Sequence, residues 1–195
     1  MENKIKEILK SIINTAKPID KHVNYPTNPG IYAFMLNTDA DLGLFGAAKD
    51  VIYVGIAKES LKKRDLNSHF NSNSTGRSTL RRSIGAILKN EFQLTAYSRN
   101  GTDEKIEITN YIFNKEGEER LTNWMKTNLT IGYWEDHSKI PYNELRKLEE
   151  SIIIKLRPSL DLDNTTKKLN KLAHKLTQLR QICKDEAFNN YNIKS

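Results

Sequence analysis

Two tripeptides, Gly30-Ile31-Tyr32 and Tyr53-Val54-Gly55, restrict what this chain can become more than any other stretch. Each sets a tyrosine near a glycine inside a run of apolar, β-branched and aromatic residues, the composition of a buried strand. Ile31–Leu36 is the first such run and Val51–Val54 the second. The turn chemistry of Tyr25-Pro26-Thr27-Asn28-Pro29 delivers the chain into Gly30. A stretch rich in Asp, Gly and Ala (37–50) separates the two runs, so they are expected to pair as an antiparallel hairpin with an enlarged loop.

The flanking periodicities are mostly helical. Ile5, Ile8, Leu9, Ile12 and Ile13 mark one face of a helix over 4–16, stopped by Pro18. A helical pattern covers Lys58–Phe70. Another opens at the capping-type Ser78 and carries Leu80, Ile84, Ile87 and Leu88 on one face. Residues 92–114 are β-prone but irregular. Helix is predicted over Gly117–Asn128, strand over Leu129–Trp134, and helix over Pro141–Leu156, with Pro141 in its first turn. A last basic helix is expected over Thr165–Asp185. This order predicts an α+β fold, a small antiparallel sheet flanked by helices, with extra helices. The expected divisions are an N-terminal helix and lead-in (1–28), a main domain (29–165) with a helical insertion at about 71–128, and a basic helix and tail (166–195).

Charge narrows the partners. The 195 residues hold 31 Lys and Arg against 24 Asp and Glu, a formal net charge of +7, which favours a polyanion. No apolar run approaches the ~20 residues that span a bilayer. The charged start, Met1-Glu2-Asn3-Lys4-Ile5, lacks an apolar core and is not expected to act as a secretory signal. A single cysteine, Cys183, excludes an internal disulfide and a Cys-rich zinc site, and makes the cytoplasm the default location. His22, His137 and His174 have no partners at ligand spacing and are expected to be surface or packing residues.

The chemistry-bearing residues are Tyr32, Tyr53, Arg64, His69 and Glu149. Phosphodiester hydrolysis must deprotonate water, neutralise the phosphate and stabilise the leaving oxygen. An arginine fork suits the phosphate. A lone carboxylate suffices for Mg²⁺ or Mn²⁺, which keep most of their waters. A tyrosine, with a reference pKa of about 10, needs a nearby cation to act as a base.

These residues resemble the GIY-YIG nuclease family. Gly30-Ile31-Tyr32 after Pro29 matches its first signature, and Tyr53-Val54-Gly55 its second. Leu61-Lys62-Lys63-Arg64 followed by His69-Phe70 is similar to its arginine-bearing helix. Leu148-Glu149-Glu150-Ser151-Ile152-Ile153 leading to Pro158 is similar to its metal-binding helix. The resemblance implies a three-stranded antiparallel sheet and a metal-dependent DNA endonuclease using Mg²⁺ or Mn²⁺. It implies that Tyr32 and Tyr53 line the site and assist water attack, that Arg64 binds the scissile phosphate, that His69 relays a proton or contacts phosphate, and that Glu149 holds the metal. Four positions depart from the pattern. The 37–50 loop is long. Arg64 and His69 stand five apart instead of four, which requires a kink or bulge. Ile56 replaces a common lysine, with Lys58 as substitute. Asp161 stands where an asparagine is common, with Asn164 nearby.

Lys58, Lys63, Arg77, Arg81 and Arg82 are expected to contact DNA, and the tail helix adds a basic, leucine-striped face that leaves room for a homodimer. The departures also keep open a catalytically degenerate nucleic-acid-binding module of the same fold, and more remotely a protein-interaction adaptor using the 37–50 loop and the tail.

Overall fold

The two tyrosine-bearing runs pair with each other. In a computed structural model that describes residues 1–22 and 24–192, β2 (Gly30–Leu36) lies antiparallel to β3 (Val51–Ala57), with Tyr32 opposite Gly55 and Phe34 opposite Tyr53. A β-bulge between Phe34 and Met35 shifts the register near the loop. On its other side β2 pairs with β6 (Leu129–Glu135), Tyr32 facing Tyr133. A two-residue β1 (Lys17–Pro18) pairs with the other side of β6, giving the order β1-β6-β2-β3, all antiparallel. The expected three strands are therefore the body of a four-stranded sheet whose extra strand is a short edge.

The chain divides into two compact units, Met1–Asn67 with Lys126–Ala173, and Ser68–Met125 with His174 onward. In the first, α1 (Glu2–Thr15) and α6 (Tyr142–Leu156) bury their apolar stripes on one face of the sheet. Ile5, Ile8 and Ile12 from α1 and Leu145, Leu148, Ile152 and Ile153 from α6 pack with Ile31, Ala33, Val54 and Trp134. Strand alternation then assigns Tyr32, Phe34 and Tyr53 to the opposite face. α6 ends with Arg157 in the left-handed conformation (φ 49°), immediately before Pro158. The 37–50 loop is built, not slack: Ala40, Leu42 and Phe45 are buried, and Asp50 Oδ2 accepts the Ala47 N–H at 2.9 Å.

α2 (Leu61–Arg64) starts at Ser60, whose hydroxyl accepts the Lys63 N–H at 3.3 Å. It passes directly into a π-helical turn over Asp65–His69. That turn is the bulge that the five-residue Arg64–His69 spacing requires, since π winding hydrogen-bonds i to i+5 and takes up one extra residue.

The second unit holds α3 (Thr79–Ile87), the strand pair β4 (Ala96–Tyr97) and β5 (Ile112–Phe113), α4 (Lys105–Thr109) and most of α5 (Lys115–Asn128). Ser78 caps α3 as expected, accepting the Arg81 N–H at 3.1 Å. Two expectations are corrected. The irregular 92–114 segment contains the short helix α4 between its two strands. The tail helix does not begin at Thr165: Lys167–Leu169 is a 3₁₀ turn, and α7 runs over Ala173–Asn192. Asn170 makes the break. Its amide donates to the carbonyls of Ser159 (2.8 Å) and Asp161 (2.7 Å), and its Oδ1 accepts the Leu172 N–H at 2.9 Å. Among the described residues no helix is long and apolar enough to cross a membrane.

The centre of the second unit is an ion pair. Arg81 is fully buried and reaches Glu118 Oε2 at 2.6 Å, Thr122 Oγ1 at 2.9 Å, Thr75 Oγ1 at 3.1 Å and the His69 carbonyl at 3.1 Å. Glu118 also accepts from Thr75 Oγ1 (2.8 Å) and the Phe113 N–H (3.1 Å). Removing either member strands the other's charge. Arg81→Met is expected to destabilise the protein by about 3–5 kcal/mol in urea titration, and Arg81→Met with Glu118→Leu by markedly less.

Candidate active site

Tyr32 is held by three neighbours. Its ring lies over Gly55: a Cβ there would sit 2.5 Å from the phenol oxygen. Only glycine leaves that space, which explains the glycine of the second tripeptide. The Tyr53 ring stacks at a centroid distance of 6.3 Å and an interplanar angle of 29°. Arg64 hydrogen-bonds the Tyr32 phenol. Gly30 serves a similar purpose at the start of β2, where a Cβ would meet the Trp134 carbonyl at 2.2 Å and Leu61 Cδ1 at 2.9 Å. The close approach of β6 and the start of α2 thus depends on it, and α2 carries Arg64.

The two phenols differ in burial. Tyr32 is 1% exposed. Burial and the Tyr53 phenol push its pKa well above the ordinary value, although Arg64 opposes the shift. Tyr32 therefore stays protonated. Tyr53 is half-buried. Burial works against the charge on Arg64, but Tyr32 and Tyr53 outweigh it and the guanidinium stays charged.

Asp65, the first residue of the π turn, is fully buried. Its Oδ2 accepts the Tyr25 hydroxyl at 2.6 Å, and its Oδ1 has no partner among the described residues. Burial raises its pKa to about 8, against the opposing effects of the Tyr25 hydrogen bond and the Arg64 charge. Tyr25 in turn packs edge-on against Tyr133 (5.0 Å) and His22 (5.1 Å). His22 is a packing residue, its Nε2 3.0 Å from the Ile131 carbonyl.

The carboxylates gather at the sheet's edge. β3 is the edge strand, and the segment after Pro158 runs beside it, the Leu160 N–H donating to the Ile52 carbonyl at 2.9 Å. Glu149, on α6, is 5% exposed. Arg146, three residues earlier on the same helix, bridges Glu149 and Asp163, one guanidinium nitrogen to each. Burial raises Glu149 to about 7; Arg146 opposes this, while Asp163 and Asp161 add to it. Asp161 fills the position where the resemblance leads one to look for asparagine, and both its oxygens are engaged, by Thr166 Oγ1 (2.6 Å) and the Asp163 N–H (3.0 Å). Asn164 instead accepts from Lys167 (3.1 Å).

Three expected site residues, Tyr32, Tyr53 and Arg64, are thus in one cluster; Glu149 is not in it, being on α6, which packs on the opposite face of the sheet beside the edge strand. His69 belongs to the second unit, where it is buried with Nδ1 2.7 Å from Ser78 Oγ. Arg81 and Arg82 correct the DNA-contact expectation. Both are buried, and Arg82 donates to the Thr75 (3.2 Å) and Gly76 (2.8 Å) carbonyls, so neither guanidinium faces solvent. Lys58 and Lys63 are exposed, Lys58 lying 3.9 Å from the centre of the Tyr142 ring. Arg77 is exposed as well. The sequence reading missed Tyr25, Asp65, Arg146 and Asp163. Arg146 had a signal, its i, i+3 spacing to Glu149.

The family model described as GIY-YIG catalytic domain matches residues 30–182. This chain belongs to the GIY-YIG family. The match starts at the first glycine of the paired tripeptides and takes in the Glu149 helix and the start of α7. No curated protein and no solved structure matches the chain significantly. GIY-YIG domains are metal-dependent in general, and the donor chemistry here suits a hard cation: a buried carboxylate with like-charged neighbours. Among the described residues no three metal-ligating side chains converge. A one-carboxylate Mg²⁺ site, completed by water, needs no such triad.

Asp65 sets a pH dependence. Its folded pKa of about 8 lies above the ordinary 3.8, so the folded state holds this proton more tightly. The stability it contributes is complete below pH ~4 and is lost as pH rises through about 8. The urea midpoint of the wild type is expected to fall between pH 5 and 9, and Asp65→Asn, which keeps an acceptor for Tyr25, is expected to flatten that fall.

Proposed function

We propose that the protein is a metal-dependent endonuclease that hydrolyses phosphodiester bonds in DNA, acting in the cytoplasm. The observation that carries this reading is the Tyr32–Tyr53–Arg64 cluster on one face of the sheet; the helix bearing Glu149 packs on the other face, beside the edge strand that carries Tyr53. Arg64 binds the scissile phosphate through its fork, giving up some of its bond to Tyr32. Tyr32, held protonated by burial, donates a hydrogen bond that orients the attacking water or a phosphate oxygen. Tyr53, at the rim, is assigned the water proton, which requires its phenolate; the water oxygen bonds to phosphorus as the bond to the leaving oxygen breaks. Glu149 is the residue that would hold the Mg²⁺ or Mn²⁺ ion. When bound, the ion supplies Lewis-acid neutralisation of the phosphate and lowers the pKa of nearby acids.

One observation favours a second reading. Arg146 already pairs with the Glu149 carboxylate, as it would in a chain that binds DNA without cutting it. Plasmid incubation with Mg²⁺ or Mn²⁺ separates the two. Cutting is expected from the wild type, reduced by about 100-fold or more in Glu149→Ala and in Arg64→Ala. Equal cutting by all three proteins removes the endonuclease reading. Salt-sensitive binding with no cutting in either metal establishes the second.

A further inference from the structure

A polar cleft of about 590 Å³ opens in the second unit, between the loop after the π turn and the segment after β4. Its walls carry the carboxamides of Asn71, Asn73 and Asn100, the Ser72 hydroxyl and the guanidinium of Arg77. None of these five side chains has a hydrogen-bond partner among the described residues. Asn71, Asn73, Asn100 and Arg77 are exposed, so their polar groups are held by solvent and can be exchanged for those of a ligand without breaking an internal bond.

The cleft is also shaped by fixed groups. Arg99 forms one wall, pinned by Glu107 through Nε at 2.8 Å and Nη2 at 2.5 Å. Its side chain lies where a Cβ on Gly76 would be, Cδ at 2.6 Å. Asn73 holds a left-handed backbone (φ 71°), a conformation that Asn and Asp tolerate best. Among the described residues no carboxylate lines the cavity; the charge of Arg99 is paired with Glu107, and Arg77 carries the unpaired positive charge. Such a lining selects an anion.

The remaining lining points to a duplex. Ile112 is its one apolar side chain among the described residues and no aromatic ring lines it, so it offers no platform for stacking splayed bases, the usual means of holding single strands and RNA loops. Arginine and carboxamides are instead the groups that bind phosphates and the major-groove edges of DNA. We propose that this cleft takes a phosphate ridge of duplex DNA, with Arg77 on a phosphate and the three carboxamides on the adjoining sugar and base edges. The inference rests on DNA as the substrate class, but concerns a contact surface separate from the cleaving residues.

Fluorescence anisotropy of a labelled DNA duplex with the full chain in EDTA, from 50 to 200 mM salt, tests it without any contribution from cutting. Arg77→Ala is expected to weaken binding several-fold and to reduce the salt slope by about 1. Asn73→Asp keeps the backbone conformation and puts a negative charge in the cleft; it is expected to weaken binding at least about 10-fold. Circular dichroism confirms that both exposed-site variants are folded. Wild-type affinity in both variants overturns the proposal, as does absence of DNA binding by the wild type or tighter binding of an RNA duplex of the same sequence. Cutting is scored separately in Mg²⁺. Binding lost in the variants with no cutting by the wild type leaves the cleft and removes the nuclease reading. Cutting lost only in Glu149→Ala, with both cleft variants binding normally, removes the cleft alone.

Discussion

The register between β2 and β3 is the constraint on which the rest depends. Tyr32 stands opposite Gly55, and its ring uses the space that glycine leaves. A slip of one residue would exchange the two faces of the strand. Ile31 and Ala33 would leave the core formed with α1 and α6, and Tyr32 would enter it. Burial of that apolar set therefore fixes which side of the sheet displays the phenols. The hydrophobic core and the candidate site are two consequences of a single pairing.

Two arginines then divide the electrostatic work. Arg64 is engaged by a phenol and Arg146 by two carboxylates. The first arrangement stores a charged fork beside a neutral acceptor, from which a phosphate can readily take it. The second neutralises an acidic pocket that burial would otherwise drive toward protonation, as the raised pKa of Glu149 shows. A divalent ion at Glu149, as proposed, would meet an existing counter-ion, so its affinity would be the difference between two cations and not the attraction of an empty carboxylate. That competition is the physical basis for weighing a binding-only reading beside a cutting one.

Legibility followed the range of the interaction. The paired tripeptides, the Ser78 cap and the end of α6 before Pro158 are local patterns, and the structure has them where the sequence puts them. The π turn was legible as a need, because Arg64 and His69 stand five apart, but the burial of Asp65 was not, since it depends on Tyr25 forty residues earlier. Arg81 and Arg82 were expected to contact DNA because they cluster with other basic residues; Glu118, the group that draws Arg81 inside, lies 37 residues away. The tail's leucine period continues through Asn170, yet Asn170 breaks the helix because two carbonyls from the segment after α6 capture its amide. The reason for Gly55 is equally non-local, being the ring of a residue on the facing strand.

The net charge of +7 overstates how much specific recognition the chain can draw from arginine. Arg64, Arg81, Arg82, Arg99 and Arg146 are each committed to internal partners. The positive charge that remains exposed is largely lysine, a strongly hydrated point charge that attracts a polyanion without reading it. If the partner is DNA, as proposed, discrimination among its sequences falls to groups that carry directional donors and acceptors and are not already satisfied. Uncommitted carboxamides beside the Arg77 guanidinium meet that requirement, and their place in a unit outside the tyrosine-bearing sheet lets recognition vary without disturbing the residues assigned to the chemistry.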